Sequence, residues 1–359
     1  METKSQFVDN LRGYSSVMFN ALREIDANNG KKYLHKDLLT PEHSADMTWN
    51  AGEFSNSIVA ADVVSLDSSA PLKSRGVIRS ASGQVTKMSL AYKKTEKELS
   101  DLMTLQSLGG NLSSLAGKAL NDVPRVVEGI DIRNEILFLQ GVSEGVIAYP
   151  LEDEQGTAVR ASFGYRDENK VTPAAKWSTK TSNPIDDLQA MFSKANANSD
   201  KIEMVMMDTA TFNALRSSDA GKVFGASATS MVVTDPKSLR ATRKEVMLEA
   251  LQDEFGAKFV IVDGSYRVQE KDGTMKSVKP WAEGAVVGLP GVTAGRLVYS
   301  TLVEERRPAS HVTYNKVGLY TLVSQYAETN PPTEFTVGQA LCLPVIDNAS
   351  SIYYLNALK

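Results

Sequence analysis

The residues of this chain that could do chemistry are three histidines, a single cysteine and a few adjacent carboxylates. A zinc site needs about four nitrogen or sulfur ligands, some closely spaced. His35, His43 and His311 do not pair at helical metal-ligand spacing, and Cys342 is far from all three. The sequence therefore supplies no metal ligands. Cys342 stands between Leu341 and Leu343 and reads as a small buried hydrophobe rather than a reactive thiol. One cysteine excludes an intrachain disulfide and fits a reducing compartment.

Phosphate and acyl chemistry fare no better. Gly117-Lys118 invites comparison with a phosphate-binding loop, but Leu112 stands where glycine is needed, and Ala119 replaces the Ser or Thr that would hold magnesium. No Gly-x-Gly-x-x-Gly occurs, so there is no dinucleotide fingerprint. Gly225 to Thr229 departs from the nucleophile-elbow pattern at its last position. A Ser-His-Asp triad assembles from distant positions, yet nothing marks any serine here. Asp186-Asp187 sits in the opening turn of a helix, where negative charge gains ~0.3–1 kcal/mol from the helix dipole, and reads as structural. Glu304-Glu305 followed by Arg306-Arg307 reads as a solvated or inter-subunit ion-pair edge. Lys237, Arg240, Arg243 and Lys244 form one basic helix face that reads as solvated. The expected inventory is no catalytic residues, no cofactor and no metal.

The elements that would position such residues form a different pattern. The chain has 359 residues and is 42% hydrophobic. Single cores rarely grow beyond ~250–300 residues, so two domains are expected. Charged residues make up 23% and the formal net charge is −4, so no global basic field draws the chain to nucleic acid or acidic lipid. The first residues lack a signal-peptide pattern, and no apolar run approaches the ~20 residues that span a bilayer. The expectation is a soluble product that is not secreted by the usual route.

Residues 1–56 begin with helical spacing (Phe7, Leu11, Tyr14, Met18, Leu22, Ile25) and then turn polar. Such a helix serves equally to pack on its own domain or to reach a neighbour. Residues 57–94 pair a β-branched run (Ile58 to Val64) with an alternating one, in which Thr86, Met88, Leu90 and Tyr92 share a face. The two read as a long hairpin with arms reaching ~33 Å. A two-stranded hairpin is marginal alone in water, so it must lie on something, and an intermolecular contact follows. A helix bearing Leu99, Leu102, Met103 and Leu105 comes next. A long amphipathic helix then carries Val126, Val127, Ile130 and Leu137 over about residues 121–148, or ends at Gly141. Its interior glycines cost about 1 kcal/mol each, offset by close packing against a sheet.

Residues 183–300 alternate helix and strand. Pro184 opens a helix with Ile185, Leu188, Met191 and Phe192. Ile202 to Met206 is a strand, and Asp208 caps the helix of Phe212 and Leu215. Asp235-Pro236 opens a helix with Leu239, Val246 and Leu251. Phe259 to Val262 and Gly284 to Val287 are strands, and Asp263-Gly264 and Asp272-Gly273 bound a strand pair. Residues 311–359 return as strands over Gly318 to Gln325, Ala340 to Val345 and Ile352 to Leu355.

The order of these segments carries a resemblance. Arg125-Val126-Val127-Glu128 with Leu139-Gln140-Gly141 resembles the long-helix wording of the lambda-type major capsid proteins of tailed phages. Trp177, then Asn183-Pro184-Ile185-Asp186-Asp187-Leu188, resembles that family's bridge into its central lobe. Val260 to Tyr266, Pro280, Val286 to Gly291, Asn330-Pro331-Pro332 and Leu343-Pro344-Val345 resemble later strands and the closing segment. Together they resemble the Hong Kong 97-type capsid fold over roughly residues 55–358.

The resemblance implies an α+β fold with an N-terminal arm (1–56) and an extended β-hairpin loop (57–94). A peripheral domain (95–177 and 311–359) would contain the spine helix, and an axial domain would cover 178–310. It implies a major capsid protein that self-assembles into pentamers and hexamers of an icosahedral head. The head would enclose double-stranded DNA without sequence-specific binding. Implied partners are a scaffold protein, a portal protein and a decoration protein, with no membrane; the place is the virion, after assembly in the host cytoplasm. Fewer than sixty residues precede the loop, which favours a separate scaffold protein. Lys73, Arg75, Ile78, Lys87, Met88, Leu90 and Tyr92 are then the expected loop contacts between subunits. Val126, Val127, Ile130 and Leu137 form the spine, and Glu304, Glu305, Arg306 and Arg307 are candidate inter-subunit ion pairs. Some relatives crosslink a loop lysine to an asparagine, and Lys73 and Lys87 lie in the right loop. Two other readings stay open: an encapsulin-like compartment with the same fold, and an α+β hydrolase or ligand-binding protein built on residues 183–300.

Overall fold

The alternation of Thr86, Met88, Leu90 and Tyr92 falls on a strand of residues Lys87–Lys94 in the computed structural model, which describes residues 2–3, 33–53, 79–107, 122–149, 159–228 and 239–358. The expected helix from Phe7 to Ile25, the expected strand from Ile58 to Val64, Gly117-Lys118, Lys237 and the loop residues Lys73, Arg75 and Ile78 lie outside the described residues.

Along the chain, strand β1 (Glu2–Thr3) precedes helix α1 (Leu34–Leu38), β2 (Leu39–His43), β3 (Thr48–Glu53), β4 (Arg79–Gln84) and β5 (Lys87–Lys94). Helices α2 (Glu96–Ser107) and α3 (Asp122–Glu144) follow, then β6 (Val146–Tyr149), β7 (Val159–Ser162) and β8 (Lys170–Val171). Next come α4 (Pro184–Ala197), β9 (Met204–Asp208), α5 (Thr209–Ser217), α6 (Asp219–Ala228) and α7 (Lys244–Phe255). The chain continues through β10 (Lys258–Val262), β11 (Tyr266–Gln269), β12 (Met275–Val278), β13 (Ala285–Leu289) and β14 (Gly295–Tyr299). It closes with α8 (Val303–Arg306), β15 (Thr313–Val317), β16 (Thr321–Thr329), β17 (Pro332–Ile346) and β18 (Tyr353–Asn356).

Contacts group the chain into two units. The first holds residues 1–49, 83–138 and 296–345, and the second 50–82, 139–295 and 346–359. Residues 139–177 and 346–359, expected in the peripheral domain, therefore group with 178–295. The cause is pairing: β8 lies parallel to β18, with Val171 opposite Leu355, and Trp177 N–H donates to Ala357 O at 2.9 Å. Residues 296–310 group with the first unit because β14 joins its sheet.

The first unit is organised by β17. This strand of 15 residues pairs antiparallel with β16 and also with β5 in a seven-stranded sheet. Val123, Val126 and Val127 of α3 pack with Val317 and Val323 to form a core beside it. All four expected spine residues are at most 4% exposed. The helix runs through Gly141 and ends at Glu144, where Gly145 takes a left-handed φ of 71°.

The second unit is built on a five-stranded sheet in the order β10-β9-β13-β18-β8. Met204, Val205, Met206 and Met207 make β9 apolar on both faces, as a strand buried on both sides requires. Asp208 ends it and caps α5, its carboxylate accepting from Thr211 N–H at 3.2 Å. Leu188, Met191, Phe212, Leu215, Met247 and Leu251 bring the helices onto the sheet. One expected helix starts late: α7 begins at Lys244, with Arg243 in extended conformation as its N-cap. Arg240 and Arg243 thus precede the helix, and the expected basic helix face does not form.

Candidate assembly surface

Strand β5 shows why the expected loop contacts must be divided. Its register on β17 places Met88 opposite Ala340, Leu90 opposite Gly338 and Tyr92 opposite Thr336. Met88 is 8% exposed, and Leu90 and Tyr92 pack on the valine core of the spine helix. Leu90 lies against Gly129, and the Arg125 guanidinium sits 5.9 Å from the Tyr92 ring centroid. Within its own chain Met88 is thus buried, and Leu90 and Tyr92 are half-buried, so part of the apolar face expected to meet a sister copy already has a partner. The physical reason is the free edge of β17, which offers both backbone partners and an apolar floor.

The strand before β5 behaves differently. β3 and β4 pair with each other in a two-stranded sheet. The base of this ribbon is fixed. Val85 N–H donates to Met47 O at 2.8 Å, and Trp49, 4% exposed, lies against Gly83, where an added Cβ would meet the indole nitrogen at 2.8 Å. Ser44 N–H donates to Tyr299 O at 2.8 Å, and Ser44 and Thr48 hydroxyls both donate to Asp46 at 2.8 Å. These bonds, chiefly that from Thr48, hold the exposed Asp46 carboxyl below its ordinary range. Among the described residues, β3 and β4 pair only with each other.

The charged edge is also partly settled within the chain. Lys87 Nζ lies 2.8 Å from Glu304, and Lys316 Nζ lies 2.6 Å from Glu305. The bond from Lys87 holds the Glu304 carboxyl below its usual value. Glu304 and Glu305 thus pair inside their own subunit, as does Lys87, while Arg306 and Arg307 are exposed.

Residues weighed for chemistry have structural partners. Asp187 is buried, and its carboxylate accepts from Trp177 Nε1 at 2.8 Å and from Ala174 N–H at 3.3 Å. Asp186 is exposed, and its backbone N–H is capped by Asn183 Oδ1 at 3.4 Å. Burial pushes the Cys342 thiol up to about 12. His43 meets Thr301 Oγ1 at 3.1 Å, and His35 is buried against Glu135. The His35–Glu135 pair escaped the sequence reading, and its one signal was two acids, Asp131 and Glu135, placed one turn apart inside an apolar helix. In the second unit an open cleft of about 470 Å³ is lined by Asn183, Ile185, Asp186, Asp219, Phe224 and Ser227 among others. The Ser227 hydroxyl donates to Val223 O at 2.9 Å. Among the described residues no cluster of His, Cys, Asp or Glu could hold a metal ion, and no helix is long and apolar enough to cross a membrane.

A family model described as phage major capsid protein E matches residues 49–356. The chain is similar to a crystal structure described as a prophage capsid protein from Escherichia coli CFT073, at 14% identity and a TM-score of 0.57, covering 95% of this chain and 98% of that one. It is also similar to a phage-related protein from Bordetella bronchiseptica RB50, at 11% identity and a TM-score of 0.49, covering 91% and 92% of the two chains. No curated protein matches the chain by sequence. At 14% identity the Escherichia coli structure speaks for a shared fold.

Proposed function

The chain belongs to the phage major capsid protein E family, and we propose that it is the coat subunit which assembles into the pentamers and hexamers of an icosahedral phage head. The family match over residues 49–356 carries this reading. The Hong Kong 97-type α+β fold agrees with it.

The subunit would close into rings through heterologous contacts, in which different patches of each copy meet. The β3–β4 ribbon is the element suited to reach a neighbour, since among the described residues its two strands pair only with each other, and two strands alone are marginal in water. We assign residues 48–84 to the extended loop, with Lys73, Arg75 and Ile78 as its contacts. Arg306 and Arg307 supply exposed cations for pairing across subunits. The first unit serves as the peripheral domain, and residues 178–295 as the axial domain at the capsomer centre. Individually weak contacts suffice, because each ring closure raises the effective concentration for the next. A net charge of −4 suits a wall that encloses double-stranded DNA without trapping it. Scaffold, portal and decoration proteins would be the partners, and the virion the final location.

The test is electron microscopy of the expressed chain, alone and with a scaffold protein. Closed shells containing DNA are expected from phage-infected cells, and a stable small monomer under all conditions would overturn the reading. Shells filled with a cargo protein would instead indicate a storage compartment. Replacing residues 54–78 by a short Gly-Ser turn should leave a folded subunit that no longer closes shells. Normal shells from that variant would remove the loop from the mechanism.

A further inference from the structure

The hairpin of β11 and β12 carries one fully exposed sheet face. Directly opposite residues of an antiparallel pair share a face, and faces alternate along each strand. The register sets Arg267 opposite Ser277 and Gln269 opposite Met275, so these four side chains share one face. All four are exposed, whereas Val268 on the other face is buried. Met275 is 65% exposed, an unusual position for a large apolar side chain.

The turn that presents this face is ordered. Glu270 N–H donates to Thr274 O at 2.9 Å, and Gly273 N–H donates to Glu270 O at 3.0 Å. Thr274 N–H donates to the Asp272 carboxylate at 2.8 Å, and Gln269 Nε2 donates to Gly273 O at 3.1 Å. A turn fixed before contact loses less entropy on docking. Positive charge surrounds Met275. Arg267, Lys271, Lys276 and Lys279 against Glu270 and Asp272 give residues 266–279 a net charge of +2. Lys276 pairs with Glu270 at 3.2 Å. Arg267, Lys271 and Lys279 are exposed and make no ion pair among the described residues.

The same unit holds a recess of the opposite character. The open cleft of about 470 Å³ lies between α4 and α6. Ile185, Val223 and Phe224 are its half-buried apolar lining. The ionisable groups in that lining are two carboxylates, Asp186 and Asp219. Asp219 meets Lys222 at 3.6 Å, while Asp186 is exposed and makes no ion pair among the described residues. An apolar recess with an acidic rim suits an apolar side chain flanked by cations. Met275 is unbranched and adapts to an irregular recess. Its exposure shows that the cleft of its own subunit does not hold it.

We propose that the exposed β11–β12 face of one subunit docks on a second copy, with Met275 seated in that copy's α4–α6 cleft. Met275 is the buried anchor, and the flanking charges steer the approach and fix its register. Knob and socket are different surfaces of one chain, so the contact is heterologous and repeats from copy to copy until a ring closes. The proposal rests on the coat-subunit reading and assigns a ring contact to two named surfaces.

Paired cysteines in the full chain test it, under the conditions in which the unaltered chain assembles. Under mild oxidation, Met275→Cys with Val223→Cys should give a ladder of disulfide-linked oligomers beyond the dimer. Peptide mass spectrometry should locate the bond between positions 275 and 223 of two chains. Cys342 is fully buried and does not compete. Met275→Asp, at an exposed position, should leave Tm nearly unchanged. It should raise the protein concentration at which rings form, read by sedimentation velocity, by about tenfold or more. Assembly of the cysteine variant with no 275–223 bond, or an unchanged threshold in Met275→Asp, would overturn the contact and leave the coat reading standing. Loss of assembly in Asp186→Lys without that bond would give the cleft to another partner and equally overturn it. A chain that stays monomeric throughout would remove the coat reading and this contact with it.

Discussion

Gly338 of β17 lies directly against Val126 of the spine helix. A Cβ added to Gly338 would stand 2.7 Å from the Val126 Cβ and 3.0 Å from its carbonyl oxygen. Gly338 also pairs with Leu90 on one side and Val323 on the other. The helix lies close to the sheet at this glycine, and the Val126 Cβ and carbonyl oxygen are rigid obstacles. Gly338→Ala should therefore destabilise the unassembled subunit by about 1–3 kcal/mol, the usual range for overpacking. Denaturant unfolding checks this, and an unchanged midpoint would refute it.

Gly129 makes the instructive contrast. An added Cβ there would meet the end of the flexible Leu90 side chain rather than backbone. Alanine also gains up to about 1 kcal/mol of helix propensity over glycine. Gly129→Ala should shift stability by less than about 1 kcal/mol in either direction. A loss as large as that of Gly338→Ala would show that Leu90 cannot move.

Asp187 should matter for structure rather than catalysis. Removing its carboxylate in Asp187→Ala leaves the buried Trp177 indole N–H without its acceptor. An unsatisfied buried donor costs about 1–3 kcal/mol. Thermal unfolding should show a clear fall in Tm, whereas Asp186→Ala, at an exposed position, should leave Tm nearly unchanged. Equal effects of the two variants would contradict this assignment.

The Cys342 thiol is fully buried, and burial pushes it up to about 12. At pH 8 it should resist a neutral alkylating reagent in the native subunit and react at once in denaturant. Rapid native labelling, read by intact-mass measurement, would show that the strand opens.

Alkaline stability carries a sign that can be worked out. Burial pushes the Tyr353 phenol up to about 12, and the hydrogen bond it donates to Asp200 acts in the same direction. In the unfolded chain a phenol ionises near pH ~10. The stabilising contribution is complete below that pH and is lost as pH rises toward about 12. Tyr353→Phe should therefore flatten the fall of Tm across that window. Parallel curves for the two proteins would rule the contribution out.

Much of the local structure could be read from residue spacing. Helix α3 follows from apolar residues at helical intervals, and its four named spine residues are all buried. Period-two alternation marked β5, and Asp208 marked the start of α5. Asp272-Gly273 marked the turn of β11 and β12. Each signal is local, since it depends on residues within a turn or two of one another. The same holds for the order of short motifs that resembled a capsid protein.

Pairing across the chain was another matter. Alternation says that a strand has an apolar face but not which element covers it. Hence β5 was expected to seek a sister copy, whereas β17, more than two hundred residues later, supplies its edge. The contact between His35 and Glu135 was equally hidden, because the two stand 100 positions apart and only the docking of α1 on α3 joins them. Glu304 next to Arg306 in sequence is likewise no guide to Glu304 beside Lys87 in space. Residue spacing determined the elements and the absence of a recognisable catalytic motif. The tertiary structure decided which faces pack within the chain, because long-range register depends on which edges and apolar floors meet once the chain is packed.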